Sequence, residues 1–505
     1  MNLIRINAAD NVAIAVNDIP AGALLGVAGA SMESRAAIPA MHKVAITAIA
    51  GGQPILKYGQ VIGFAAADIA PGDHVHVHNC RMGELEKDYG FCRHAVSPAL
   101  VPAAAQARFM GYLRADGRAG TRNFLGVLTS VNCSATVARG IAARGEALLA
   151  DYPGIDGVVA LAHSSGCGMQ GDDEGYLTLR RTLEGYARHP NFAGVMLVGL
   201  GCETLQIQRV MEESGLADSG RFRAFTIQDA GGTRAAIERG VSVLKEMLPA
   251  ANACRREPIP ASELVLAVQC GGSDALSGLT ANPALGEAGD WLIRHGGSVI
   301  YSETPEIYGA EHLLTQRAQT PQIAEALLER IRWWEDYTRI NGVELDSNPS
   351  PGNKAGGLTT ILEKSLGAQA KSGSTPMTGV YRYAEPVTRK GLAFMDSPGY
   401  DPVSVTGQVA SGANVICFTT GRGSAFGFKP VPCLKLASNQ RLFDRMGEDM
   451  DINCGDIVSG DSDVQRKGEE IFERVLAVAS GERTASELLG YGDNEFNPWK
   501  IGATV

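Results

Sequence analysis

The chain has 505 residues, enough for about three domains, and 45% hydrophobic with 20% charged content excludes global disorder and leaves room for a large core. A net charge of −10, with no basic run and only 6% aromatics, argues against nucleic acid or an anionic membrane surface as partner. It leaves open an anionic small molecule, because local Arg and Lys can outweigh the global field.

The opening segment, MNLIRINAADNVAIAV, lacks the charged start, apolar block and cleavage site of a signal peptide. No run of 18 apolar residues follows, so no membrane span and a cytoplasmic location are expected. Residues 1–95 read as a small β-rich module. VAIAV, KVAITAIA, VIGFAA and HVHVHN are short β-branched or alternating runs separated by Pro and Gly turns, and DIPAG (18–22) echoes DIAPG (68–72). Residues 96–108, rich in Pro and Ala, read as a linker that lets the module swing or dock. From 109 onward strand-like runs alternate with helical ones, FLGVLTSVN with ATVARGIAARGEALLADY and VVALAHSS with YLTLRRTLEGYARH. This predicts βαβ units, parallel sheets and an α/β fold in two lobes, 109–270 and 271–505.

Four cysteines share one register. Cys133, Cys167, Cys202 and Cys270 each fall at or just past the carboxyl end of a predicted parallel strand. Ligands of open parallel sheets bind outside those ends. Each cysteine alone is explained as a small residue in a tight turn. Four in one register point to a metal or iron–sulfur site, with three or four thiolates as ligands. Ten cysteines in a long chain are not a disulfide framework.

The run Asp73-His74-Val75-His76-Val77-His78-Asn79 places three imidazoles on one face if it is a strand, and His42 opens another strand of the same module. They are metal ligands or proton shuttles, or solvated residues of an edge strand. Arg122 and Asn123 precede the first cysteine strand, Glu203 follows Cys202, and Asp274 follows Cys270. Glu303 and Glu306 lie in ETPEIYGAE. Asn353-Lys354 and Arg422 sit in Gly-rich turns that fit neither a P-loop nor a dinucleotide fingerprint. Such turns suit a substrate carboxylate or hydroxyl.

The phrases MHKVAI (41–46), IGFAAADIAPGDHVHVHN (62–79), GTRN (120–123), HSSGCGMQGDD (163–173), GLGCE (199–203), CGGSDALSGLTANPALG (270–286), ETPEIYGAE (303–311), NPSPGNKAGGLTT (348–360) and FTTGRGSAFG (418–427) together resemble the altronate/galactarate dehydratase family over nearly the whole chain. The resemblance implies an N-terminal SAF-type domain, a larger catalytic body, dependence on Fe(II) or Mn(II), and β-elimination from a polyhydroxy acid. Sulfolactate sulfo-lyase is a further member. The HVHxHN phrase resembles the altronate-type members, which favours an aldonate, D-altronate first, over an aldarate. The residue roles rest on the chemistry of the side chains and not on the resemblance: Cys133, Cys167, Cys202 and Cys270 are expected to hold the metal or an iron–sulfur cluster. Arg122, Asn123, Asp274, Asn353 and Arg422 bind the sugar acid, and His42, His76, His78, Glu203 and Lys354 carry proton transfer and anion stabilisation. A homo-oligomer, most simply a dimer, is expected.

Overall fold

Short strands limited by Pro and Gly turns cannot build a wide sheet, and the first 81 residues fold accordingly. The computed structural model describes residues 3–27, 30–85 and 87–504. An antiparallel sheet takes Leu3–Ile4, Val12–Ala15, Lys43–Ala45 and His74–Val75 in that order. A second sheet is made of Pro54–Lys57, Gln60–Ala65 and Cys80–Arg81. The echoed phrases take equivalent places: Ile19 bridges Ile38, Ile69 bridges Ile49, and Gly22 and Gly72 both turn with positive φ, at 78° and 87°.

The run from His74 to Asn79 is not one strand. It pairs only at His74–Val75 and then turns. The Asn79 side chain closes that turn, accepting from the His76 amide at 2.9 Å and donating to His74 O at 3.0 Å. The period-two face expected for three imidazoles is therefore lost after Val75, and His78 is exposed.

The expected linker is docked. Val101 N–H donates to Arg294 O at 2.7 Å and Ala107 N–H to His295 Nδ1 at 3.0 Å. The chain then enters the Arg108–Leu113 strand, which pairs antiparallel with Glu257–Pro260.

Beyond it lie two parallel sheets. The first orders its strands Gly157–Leu161, Phe124–Thr129, Phe192–Gly199, Phe222–Thr226. The second has seven strands, ordered Met377–Tyr381, Gly391–Met395, Ser298–Ser302, Val265–Cys270, Val415–Thr420, Cys433–Ala437, Ile452–Asn453. All pairings in both are parallel. This corrects the boundary expected at residue 270: Val265–Cys270 hydrogen-bonds with Ser298–Ser302 and Val415–Thr420, so it is the central strand of the second lobe. The chain leaves that strand to one side and later returns to the other, which makes its carboxyl end the topological switch point.

Near-continuous apolar runs form these strands because both faces are covered. One face of the large sheet, including Leu266, Val268, Val299 and Phe394, packs under the helices Ala281–Arg294 and Val464–Ala479. The other, including Ala267, Ile300, Met395 and Ile416, shares a core with Leu128, Leu161 and Leu197 of the first lobe. Helices Glu174–Ala187 and Asp401–Ala410 meet in that shared core. Asp173 caps the former, its Oδ1 accepting from Tyr176 N–H at 2.8 Å. Gly185 lets the helices close, since a Cβ there would run into Ala410 O. Among the described residues no helix is long and apolar enough to cross a membrane.

Candidate active site

Three histidines meet on the surface that the N-terminal module turns to the second lobe. His42 Nδ1 lies 2.9 Å from His74 Nε2, and the His42 and His76 rings are 4.5 Å apart. One nitrogen of each of His42, His74 and His76 falls within 4.8 Å of the others. Burial pushes all three below the ordinary imidazole value. His74 falls to about 4, helped by His42 and His78, and His76 to about 3, helped by Lys43. Neutral rings are what metal ligation requires. His76 Nδ1 is buried without a hydrogen-bond partner, an orphan that a cation would satisfy. The trio therefore fits a divalent ion. His78, exposed, sits beside His74 and outside the trio. Changing His42 or His76 to Ala is expected to lower bound iron or manganese at least tenfold, while His78→Ala leaves it unchanged. Metal analysis after gel filtration reads this directly.

The module is fastened to the second lobe by buried charge. Lys43 Nζ and Lys57 Nζ each lie 2.8 Å from Glu363, all three side chains being at most 1% exposed. Lys43 also donates to Gly357 O at 2.6 Å. The His42 ring reaches Ala355 O at 3.4 Å, so the trio lies over the segment 353–357.

At the switch point of the large sheet a second constellation is buried. Cys270, Glu303 and Glu306 bring ligand atoms within 4.8 Å of one another. Lys371 Nζ donates to Cys270 Sγ at 2.7 Å, and Lys364 Nζ to Glu306 Oε1 at 2.6 Å. Asn348 Nδ2 adds a bond to Glu306 at 3.2 Å. Asp401 overhangs Gly271, where any side chain would meet its carboxylate. Two ammoniums already balance this cluster, which makes the histidine trio the better cation holder.

The carboxyls here are driven apart. Burial pushes Glu306 up, but Lys364 and Lys371 outweigh it and hold it at about 2. Burial, followed by the Glu306 charge, pushes Glu303 well above the carboxylate range. The same two causes lift Asp401 to about 7. Burial lifts the Cys270 thiol to about 11. Glu303 is also the strained residue of the group. Its φ is 75°, a left-handed value rare for a side chain of this size, and neither carboxyl oxygen has a hydrogen-bond partner.

The remaining expected site residues divide in two. Lys354, half-buried beside the trio's anchor Ala355, and Arg422, exposed and packed against Gly272, have side chains with no hydrogen bond or ion pair among the described residues. The others are occupied structurally, and their expected roles are corrected. Arg122 grips Glu487 through Nε and Nη2 and also donates to Thr121 O, Val478 O and Glu482 O, leaving nothing for a substrate. Asn123 donates to Gly154 O and Ala251 O. Asp274 accepts from Ser277, Ser438 and Asn439 and organises the loop at the rim. Asn353 ties its short helix to Ser273 O at 2.9 Å. Glu203 accepts from Ser130 Oγ and Gly201 N–H, each at 2.6 Å, in the first lobe. Cys270 is on a different sheet from Cys133, Cys167 and Cys202, so four thiols do not share one rim. Its strand pairs within the second lobe.

Lys364, Lys371 and Asp401 escaped the sequence reading. A usable signal was present: ILEKSLGAQAKSG carries Glu363 and two lysines seven residues apart, hence on one face, in a run whose other residues are mostly small or apolar. Buried Lys in such a run needs partners.

The chain matches three family descriptions in succession: "Altronate/galactarate dehydratase SAF domain" over residues 1–83, "D-galactarate dehydratase/Altronate hydrolase, second domain" over 111–252, and "D-galactarate/Altronate dehydratase, C-terminal" over 261–504. It is 36% identical to altronate dehydratase of Bacillus subtilis over 509 residues, covering 100% of both chains. It is 36% identical to altronate dehydratase of Escherichia coli over 506 residues, again covering 100% of both. Identity to galactarate dehydratase (L-threo-forming) of Escherichia coli is 38% over 512 residues, 98% of this chain and 96% of the relative.

Proposed function

The chain belongs to the D-galactarate/altronate dehydratase family, and from that premise we propose that it dehydrates a sugar acid, D-altronate first, to a 2-keto-3-deoxy acid. In this reading the reaction uses the histidine trio, which lies over the segment 353–357, together with the switch-point carboxyls, of which Glu306 is bound by Asn348. The observation that carries this is Glu303, a strained, buried carboxyl without partners, next to an ion-paired Glu306 and an Asp401 poised near neutrality. Carboxyls forced to different protonation states in one site supply an acid and a base.

His42, His74 and His76 would hold the divalent ion, Fe(II) or Mn(II), which would supply Lewis-acid stabilisation to charge developing on substrate oxygen. Lys354 and Arg422, whose side chains have no hydrogen bond or ion pair among the described residues, bind the substrate carboxylate. Asp401, lifted to about 7 by burial and the Glu306 charge, accepts the C2 proton. Glu303, still protonated, donates its proton to the C3 hydroxyl as the C3–O bond breaks, and water leaves. The enol then takes a proton at C3 and becomes the 2-keto acid. Lys364 and Lys371 keep Glu306 ionised, and its charge keeps the Glu303 proton in place. The depressed histidines, neutral at working pH, act as ligands in this scheme and not as proton donors.

Purified protein loaded anaerobically with Fe(II) or Mn(II) is expected to form a 2-keto-3-deoxy acid from altronate. Galactarate, other C5 and C6 aldonates and sulfolactate serve as comparisons. Turnover confined to galactarate, or sulfite release from sulfolactate without aldonate dehydration, overturns the assignment.

A further inference from the structure

The first lobe carries a group of side chains that the proposed reaction does not use. Cys133, Cys167 and Cys202 are all exposed, whereas Cys80, Cys270, Cys417, Cys433 and Cys454 are buried. Free cysteine is ordinarily among the most buried residue types. Here the three exposed thiols all follow strands of one sheet, after Phe124–Thr129, Gly157–Leu161 and Phe192–Gly199. These three strands are immediate neighbours, with Phe124–Thr129 in the middle. The middle strand sends the chain to one side first and to the other later, so its carboxyl end is a second switch point, the usual place for a ligand.

The loops that bear the thiols are stitched into one surface. Asn132 N–H donates to Ser165 O at 2.9 Å and Asn132 Nδ2 to His163 O at 3.1 Å, which joins the Cys133 loop to the Cys167 loop. Leu205 N–H donates to Gly166 O at 3.1 Å, joining the Cys167 loop to the Cys202 loop. Ser130 Oγ donates to Glu203 at 2.6 Å, closing the circuit. Gly166, with φ of 96°, lies so close to Ser130 O that any side chain would clash. Glycine at that point lets the two loops touch.

We propose that Cys133, Cys167 and Cys202 bind an iron–sulfur cluster through three thiolates, at a site separate from the histidine trio. Two alternatives fit the geometry less well. A single tetrahedral ion with metal–sulfur bonds of about 2.3 Å draws its thiolates to within about 4 Å of one another. Among the described residues the groups with ligand atoms all within 4.8 Å are the histidine trio and the Cys270 cluster, and these thiols are not among them. A disulfide would pair two and strand the third, and all three are free. A cluster spreads its ligands over several irons and tolerates the wider spacing. Its assembly consumes two ferrous and two ferric ions and four sulfides, so no further oxidant is needed for a four-iron core of charge 2+, and each of the three Fe–S(Cys) bonds replaces an S–H bond whose proton goes to solvent. With three protein ligands, one iron of a four-iron cluster keeps an open position for an oxygen donor.

This inference does not rest on the reaction proposed above, and its test does not read activity. Full-length protein is reconstituted anaerobically with equal amounts of ferrous and ferric iron and with sulfide, then desalted. About four irons and four sulfides per chain are expected, with a broad visible absorption that bleaches on reduction. Cys133→Ser, Cys167→Ser and Cys202→Ser should each lose the chromophore at unchanged thermal stability, and His42→Ala should keep it. If a variant fails to fold, alkylation mapping on the unaltered protein replaces it. Reconstitution is then expected to protect these three thiols from iodoacetamide at least tenfold, while Cys92 and Cys254 gain no protection. Iron without sulfide, a chromophore that survives all three substitutions, or undiminished alkylation overturns the proposal.

Discussion

Glu303→Gln is expected to lower kcat by about 10²–10⁴-fold, with little change in KM and no loss of thermal stability. Gln keeps the volume and the hydrogen-bonding shape but has no acidic proton to give. The carboxyl it replaces is already held under unfavourable terms. Its backbone is left-handed at φ 75°, which costs about 1–3 kcal/mol, and neither oxygen has a partner. A purely structural residue in this position would be improved by a neutral amide and would leave turnover alone. The linkage has a definite sign. Burial and the Glu306 charge raise the Glu303 carboxyl, so the folded chain retains a proton that the unfolded chain releases above about pH 4.3. The unfolded state then binds fewer protons, and wild-type stability falls as pH rises through that value. The Gln variant lacks this fall, and its stability relative to wild type should grow from pH 4 to 7. Full activity in the variant would remove Glu303 as proton donor and with it the central step of the proposed reaction.

Glu363→Ala is expected to have the largest effect on stability, a loss of about 3–5 kcal/mol. The substitution strands two ammoniums, Lys43 and Lys57, at a junction where neither is more than 1% exposed. It also removes the acceptor for Thr359 N–H and Oγ. Breaking one partner of a buried ion pair is far worse than never having had it. Glu363→Leu combined with Lys43→Met and Lys57→Met should therefore recover part of the loss. Burial pushes the Glu363 carboxyl up, but the two lysines outweigh it and hold it well below the ordinary value. Its contribution is accordingly complete above about pH 4.3 and is lost progressively as pH falls below that. Thermal unfolding together with amide exchange across residues 41–45 and 355–363 measures both effects. A variant that melts within a degree or two of wild type, with the junction still protected, would show that the module is held by its apolar contacts instead. Because His42 is anchored on the same segment, loosening here should also weaken metal retention.

Local signals are legible in the sequence alone. Turn residues at regular spacing marked the β-rich module, and alternating strand-like and helical runs marked the α/β body. The cysteine register was local too, because a strand end is defined by the few residues around it. Cys133, Cys167 and Cys202 lie on one rim for that reason. The nearest failures came from facts the local pattern does not carry. Val265–Cys270 has the same pattern whichever sheet it joins, and pairing with Ser298–Ser302 and Val415–Thr420 decides the matter. Arg122 looks free in sequence and is fully engaged by Glu487 and carbonyls more than 350 residues away.

The amino-acid sequence by itself determined the family, through the resemblance its long motif phrases carry, and also the three-part order of the chain and its strand ends, since these last two depend on composition and periodicity along short stretches. Only the tertiary structure decided which charges are met. The acidity of Glu303, Glu306 and Asp401 depends on burial and on Lys364 and Lys371, groups brought together by helices and strands distant in the chain. Electrostatics inside a protein depends on distance and solvent exclusion, and neither exists until the chain has folded.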